Sequence, residues 1–167
     1  RLLGGEPGVG KSTLALQLAA SVQRAGSRVL YVSGEESPEQ LRLRADRLGD
    51  VPGSLRILAE TGIESLVAAW RELAPQLVIV DSVQTLRSDR VESAAGSVAQ
   101  VRESAALLAA VARQARCALL LIGHVTKDGS LAGPRVLEHL VDVVLGFEGD
   151  RAHAFRLLRA SKNRFGS

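Results

Sequence analysis

The sequence has no methionine, not even at position 1, and a single cysteine, Cys117, among its 167 residues. One cysteine excludes a disulfide within the chain and any multi-cysteine metal site. Its place at the head of the apolar run CALLLIG marks it as a buried strand thiol. No apolar stretch approaches the ~20 residues of a membrane span and no signal peptide is visible, so a cytoplasmic protein without membrane contact is expected. A large excess of charge is missing as well: 21 basic residues against 18 acidic ones leave +3, and no strongly basic surface follows from that. There is no internal repeat and no low-complexity tract. The opening RLLGG reads as the end of a strand whose beginning is missing, and with no initial methionine the chain is expected to be a piece of a longer protein. At 46% hydrophobic residues, residues 1–167 suit one globular domain, of a size that buries ~70% of its unfolded surface.

What is present is an alternation of short apolar runs with longer amphipathic ones, the pattern of a mostly parallel α/β sheet flanked by helices. The apolar runs are RVLYVS (28–33), LRIL (55–58), LVIV (77–80), ALLLIG (118–123) and VDVVLGF (141–147). Capping-box pairs between them, Ser37 with Gln40, Thr61 with Glu64 and Ser97 with Gln100, predict three helix starts. Gly26 and Gly49 stand where the first two helices should stop. Near the end, two apolar runs are joined by Glu148, Gly149, Asp150 and Arg151, too short a link for a crossover helix, which predicts an antiparallel C-terminal hairpin at the sheet edge. Two long turn-like segments, 82–96 and 125–134, come after strands and are candidates for function.

GEPGVGKST fits G-x-x-x-x-G-K-[ST] after a strand end and before a helix, the setting in which that motif binds phosphate. Gly5, Glu6, Pro7, Gly8, Val9, Gly10, Lys11, Ser12 and Thr13 form the cradle, whose backbone N–H groups and helix N-terminus attract the phosphates. Lys11 brings a compact charge to the β and γ phosphates, and the Ser12 hydroxyl is a ligand for Mg2+. The acid ending LVIVD, Asp81, is placed to hold the same ion through its water shell. ATP is favoured over GTP. TKDG at 126–129 sets its acid one position early for a guanine motif, and Asp81 is followed by Ser82, Val83 and Gln84 where a D-x-x-G switch would have glycine. There is no L-S-G-G-Q transporter signature.

YVSGEES ends the second strand with Glu35 and Glu36. Either carboxylate lies where the attacking water could be oriented; the preferred reading assigns that to Glu35 and leaves Glu36 to local helix electrostatics. His124 ends ALLLIG and is placed to sense the γ phosphate and pass its state into segment 125–134, the alternative being a structural histidine. SKNRFG (161–166) sets Lys162 and Arg164 on one side of an extended stretch, with Phe165 and Gly166 to anchor and turn the backbone behind them. A head-to-tail ring would bring these cations to a neighbour's γ phosphate in trans; the alternative is an exposed basic tail.

Together, phosphate loop, second-strand glutamate, Asp81 and the polar end of the next strand resemble the RecA-like P-loop NTPase core. GEPGVGKSTL, YVSGEES, DSVQT, GHVTKDGSLAGPRVLEHLVD and SKNRFG together resemble the bacterial RadA/Sms family of DNA-repair ATPases along essentially the whole chain. That resemblance implies an ATP- and Mg2+-dependent motor on single-stranded DNA, assembled as a hexameric ring, that drives branch migration of recombination intermediates alongside RecA recombinase. It also implies an N-terminal four-cysteine zinc module and a C-terminal domain resembling the Lon protease, neither of which this sequence contains. Carried over by position, Lys11, Ser12 and Asp81 fall on nucleotide and magnesium residues, Glu35 on the catalytic glutamate, and His124 on the γ-phosphate sensor. Segments 82–96 and 125–134 fall on the loops facing the ring channel. Their cations Arg87, Arg90 and Lys127, with Arg135 directly after the second segment, are DNA-phosphate candidates, and with no aromatic in either segment contact would be backbone-directed and salt-sensitive. Two other readings are a RecA-like regulatory ATPase whose partner is protein, in the manner of the circadian clock ATPases, and a small-molecule kinase, which would need an arginine-rich lid that the sequence lacks.

Overall fold

The computed structural model describes residues 1–125, 134–149 and 155–166. In chain order the elements are β1 (Leu2–Gly5), α1 (Lys11–Arg24), β2 (Val29–Ser33), α2 (Pro38–Leu48), β3 (Arg56–Ala59), α3 (Ile63–Leu73), β4 (Leu77–Asp81), a 3-10 turn (Val83–Thr85), α4 (Val98–Ala115), β5 (Ala118–His124), α5 (Pro134–Leu137), β6 (Val143–Gly149) and β7 (Arg156–Asn163). Among the described residues the strands form one sheet in the order β3-β2-β4-β5-β1-β6-β7, parallel throughout except for the antiparallel β6–β7 pair. This is the expected α/β architecture with its C-terminal hairpin. No described helix is long and apolar enough to cross a membrane.

Period-two alternation within the strands feeds two separate cores. Leu3, Val29, Tyr31, Ile79, Leu120 and Ile122 meet α1 and α2 on one face. Leu2, Leu30, Val78, Val80, Leu119 and Leu121 meet α3 and α4 on the other, around Trp70 and Leu108. Burial on both faces explains why the strands read as unbroken apolar runs rather than as alternating ones. The same parity aims the last residue of each run, because Gly5, Ser33, Asp81 and His124 continue the face that carries α1.

Local signals hold with three exceptions. Ser37 and Gln40 form the reciprocal capping box, and Gly49 closes α2 at φ 73. Ser97 caps α4, but the Gln100 side chain turns inward to Ser88, Val91 and Ser93 and so completes only half of its box. The Thr61–Glu64 pair is not a box. The Glu60 carboxylate accepts from the amides of Thr61 and Gly62, both at 2.8 Å, and so satisfies the free donors one residue upstream. The helix therefore starts at Ile63 with Gly62 as its cap. In the hairpin, Glu148 and Gly149 remain in β6, paired with Leu157 and Arg156, so the first half of the predicted four-residue link belongs to the strand. Asp150 and Arg151 lie outside the described residues.

Candidate nucleotide site

Because β5 lies between β4 and β1, the carboxyl ends of β2, β4, β5 and β1 fall along one edge in that order. The register pairs Ser33 with Asp81 and Gly5 with His124, and that alone gathers residues 5, 35, 81 and 124. Gly8 and Gly10 curl the phosphate loop with φ of 79° and 104°, values that a side chain disfavours, and α1 begins at Lys11. Lys11 is 3% exposed, and its ammonium donates to the carbonyls of Gly5 (2.7 Å) and Glu6 (2.8 Å). Burial lowers its pKa, while Asp81 and Glu35 act in the opposite direction.

Asp81 is buried, and its Oδ2 accepts from the Tyr31 hydroxyl at 2.9 Å. Burial pushes this carboxyl above its ordinary range, against the pull of the Ser12 and Tyr31 hydroxyls. The Ser12 hydroxyl lies near enough to favour the charged form, yet Oδ1 is buried and has no hydrogen-bond partner among the described residues. A buried anionic oxygen without a partner, beside a hydroxyl and below a phosphate loop, fits a hard cation with oxygen ligands such as Mg2+. The ionised Asp81 is thus a cost to the nucleotide-free domain. Asp81→Asn should raise its stability at neutral pH on the order of 1 kcal/mol, or about 2–4 °C in Tm. The sign follows from the raised pKa: the cost is present at neutral pH and disappears as pH falls through the folded-state value and below the ordinary 3.8. Melting curves of both proteins should therefore converge below about pH 4; a variant less stable at neutral pH contradicts this account.

Glu35 faces the same edge. Its Oε1 accepts from the Ser82 hydroxyl and pairs with His124 Nε2, both at 2.7 Å, while no described donor reaches Oε2. Burial alone would raise the Glu35 pKa, but the hydrogen bonds from Ser82 and His124 outweigh it and hold the carboxyl below its ordinary value. It is therefore an anion at neutral pH with one oxygen left for water. Glu36 is committed elsewhere, to Arg44, whose guanidinium also donates to the Thr13 hydroxyl at 3.0 Å and so ties α2 to the first turn of α1. Gly34 packs directly against the 3-10 turn, since a Cβ there would stand 1.9 Å from Thr85 Oγ1.

His124 Nδ1 is buried without a partner, and the His124 carbonyl accepts from Gln84 Nε2 at 3.1 Å. The backbone continues through Val125, whose amide donates to the Gly5 carbonyl. Segment 82–96 is more fixed than its composition predicts. Val83 and Leu86 are buried, and the Gln100 side chain holds Ser88, Val91 and Ser93. Arg87 and Arg90 are exposed, and the Arg87 backbone bridges to the start of α3. Lys127 and the Arg135 side chain lie outside the described residues.

The structure separates Lys162 from Arg164. A register shift at Val144/Leu145 leaves Ser161 between the paired residues Ala160 and Lys162. The Lys162 ammonium then donates to the carbonyls of Glu138 and Val141 (2.9 Å to the latter), closing the end of α5. Arg164 pairs at 3.3 Å with Asp142, both side chains being more than half exposed. Phe165 is 72% exposed.

Tyr31, Ser82 and Arg44 are site residues that the sequence reading passed over. For Tyr31 a signal exists: a lone tyrosine two positions before a strand's polar end faces the same side as that end. Ser82 and Arg44 gain their partners only through the strand order.

Comparison with known proteins agrees with this arrangement. Residues 1–130 match the model of the AAA domain family. The chain is 54% identical over 166 residues to the DNA repair protein RadA of Bacillus subtilis, covering 99% of this chain and 36% of the relative. For the DNA repair protein RadA of Streptococcus pneumoniae the figures are 52%, 99% and 39%, and for that of Brucella abortus 51% over 170 residues, 99% and 36%. The chain thus spans little more than a third of the length of these relatives. It belongs to the AAA domain family as an AAA-type ATPase domain of RecA-like P-loop fold, and the proteins it resembles over nearly its whole length are bacterial DNA repair proteins.

Proposed function

We propose that this chain is the ATP-hydrolysing core of a DNA-repair motor, occupying residues 1–167 as one domain and acting in the cytoplasm. The observation that carries this is the Glu35 carboxylate, ionised and held by Ser82 and His124 on the same sheet edge as Lys11 and Asp81. Residues 5–13 cradle the phosphates of ATP, and Lys11 leaves the carbonyls of Gly5 and Glu6 to neutralise the β and γ oxygens. Bound through Ser12 and Asp81, Mg2+ would supply further neutralisation of the charge that develops on the phosphates. Oε2 of Glu35 orients the attacking water and accepts its proton. His124 feels the loss of γ phosphate through its bond to Glu35 and passes it along the backbone to 125–134 and, through Gln84, to 82–96.

The relatives' name supplies the context: DNA repair, here by binding single-stranded DNA and driving branch migration of recombination intermediates in a hexameric ring that works alongside RecA. Arg87, Arg90, Lys127 and Arg135 contact DNA phosphates, and Arg164, with Lys162 behind it, reaches the neighbour's nucleotide. The test is the ATPase rate of the full protein with and without single-stranded DNA, across protein concentration. Stimulation several-fold at low salt, falling steeply with added salt and lost on Lys127→Ala, is expected. Hydrolysis indifferent to DNA at every concentration would favour a regulatory ATPase with a protein partner.

A further inference from the structure

The hairpin β6–β7 adjoins β1 on the side away from β5, so the phosphate loop has acids on one flank and the hairpin on the other. Arg156, the first residue of β7, pairs with Gly149, the last of β6, and sends its guanidinium over the loop. Its Cζ, Nε and Nη1 lie 3.6, 3.7 and 3.8 Å from the point where a Cβ on Gly10 would stand. Three nearly equal distances mean that the flat face of the group is turned to the glycine. Gly10 is the N-cap of α1 and has no side-chain cap of its own. Arg156 is exposed, and among the described residues its guanidinium has no hydrogen bond and no ion pair.

The order of the strands gives a bound nucleotide its direction. Lys11, Asp81, Glu35 and His124, the groups suited to the γ phosphate, all lie at β1 or toward β5, β4 and β2. A nucleotide whose terminal phosphate faces that flank has its nucleoside on the opposite one, over the root of the hairpin. We propose that Arg156 is a nucleotide-binding residue in cis, stacking its guanidinium on the base of ATP or ADP. A planar, weakly hydrated cation suits the face of a nucleobase, and every base offers such a face. Gly10 leaves the room for the guanidinium to lie close beside the loop. This assignment rests on the nucleotide reading of the site.

Three probes test it on the full protein: ATP, ADP and inorganic tripolyphosphate, the last carrying the charge without a base. Arg156→Ala should weaken ATP and ADP alike by about tenfold, in line with the loss of one stacking contact, and leave tripolyphosphate unchanged. At saturating ATP the kcat should hold while KM rises by the same factor. Arg156→Lys, which keeps the charge and loses the plane, should restore only part of the affinity. Unchanged ADP affinity in Arg156→Ala overturns the inference, and so does an equal weakening of tripolyphosphate, which would mean lost phosphate charge or a damaged loop. If the parent protein binds neither ATP nor ADP, the nucleotide reading itself falls, a different result from a variant that binds as well as its parent.

Discussion

Lys11→Ala should lower ATP turnover on the order of a thousandfold while leaving the domain folded. The structure explains the separation of the two effects. Lys11 is the first residue of α1, its ammonium hydrogen-bonds, among the described residues, only two carbonyls of its own loop, and alanine is a good helix former. What the substitution removes is, among the described residues, the one buried cation on an edge that otherwise presents the carboxylates Glu35 and Asp81. Four phosphate charges brought to that edge without Lys11 would meet those two acids with less positive charge to compensate. The water held by Glu35 would then attack a phosphorus whose oxygens keep their charge. Burial already lowers the Lys11 pKa, so the ammonium is poorly solvated in the free domain and ready to exchange its two carbonyls for phosphate oxygens. Phosphate release at saturating ATP is the measurement, with thermal melting beside it. A variant that hydrolyses ATP at the parent rate would remove Lys11 from the chemistry, and with it the reading of the loop.

How much of the site was legible in the sequence depends on how local each feature is. The phosphate loop is nine consecutive residues, and its setting between strand and helix is fixed by a few neighbours on either side. Asp81 was legible because it ends an apolar run, and strand parity then turns it toward α1. The sheet and hairpin were legible in run lengths and in a link too short for a helix. Tyr31, Ser82 and Arg156 are different. Tyr31 reaches Asp81 across 50 residues of sequence and Ser82 reaches Glu35 across 47, contacts that exist only because β2 and β4 are neighbours. Arg156 meets Gly10 only because β6 pairs with β1. Nothing in the spacing of those residues expresses strand order. The capping pair at Thr61 failed for the opposite reason: a still closer partner, Glu60, took the donors first. Segment 82–96 read as a long loop because its composition is polar, whereas a single buried glutamine, Gln100, organises it.

Arg164→Ala is expected to leave ADP binding intact and to lower hydrolysis by at least on the order of a thousandfold, the usual worth of an arginine that stabilises the transferring phosphoryl group. Its setting suits a residue that must leave home. The bond to Asp142 is long, and both side chains are more than half exposed, so releasing it costs little, on the order of 1 kcal/mol or less. Lys162 is held differently, by two carbonyls at the end of α5, and its removal should loosen the Glu138–Val141 stretch as well as any contact with a neighbour. The two substitutions are therefore distinguishable: Lys162→Ala lowers thermal stability, and Arg164→Ala does not. The decisive arrangement is a mixture of Arg164→Ala with Lys11→Ala in the full protein. Each is inactive alone, one lacking the arginine and the other the phosphate-loop lysine. In a head-to-tail ring assembled at random from equal amounts, about a quarter of the interfaces would join an intact phosphate loop to an intact Arg164. Activity should therefore return on mixing, at a fraction of the parent rate, and should depend on total protein concentration because only assembled interfaces count. If the mixture shows no more than the sum of its two inactive parts, at concentrations where the parent is fully active, Arg164 serves its own subunit or none, and the active site is not shared.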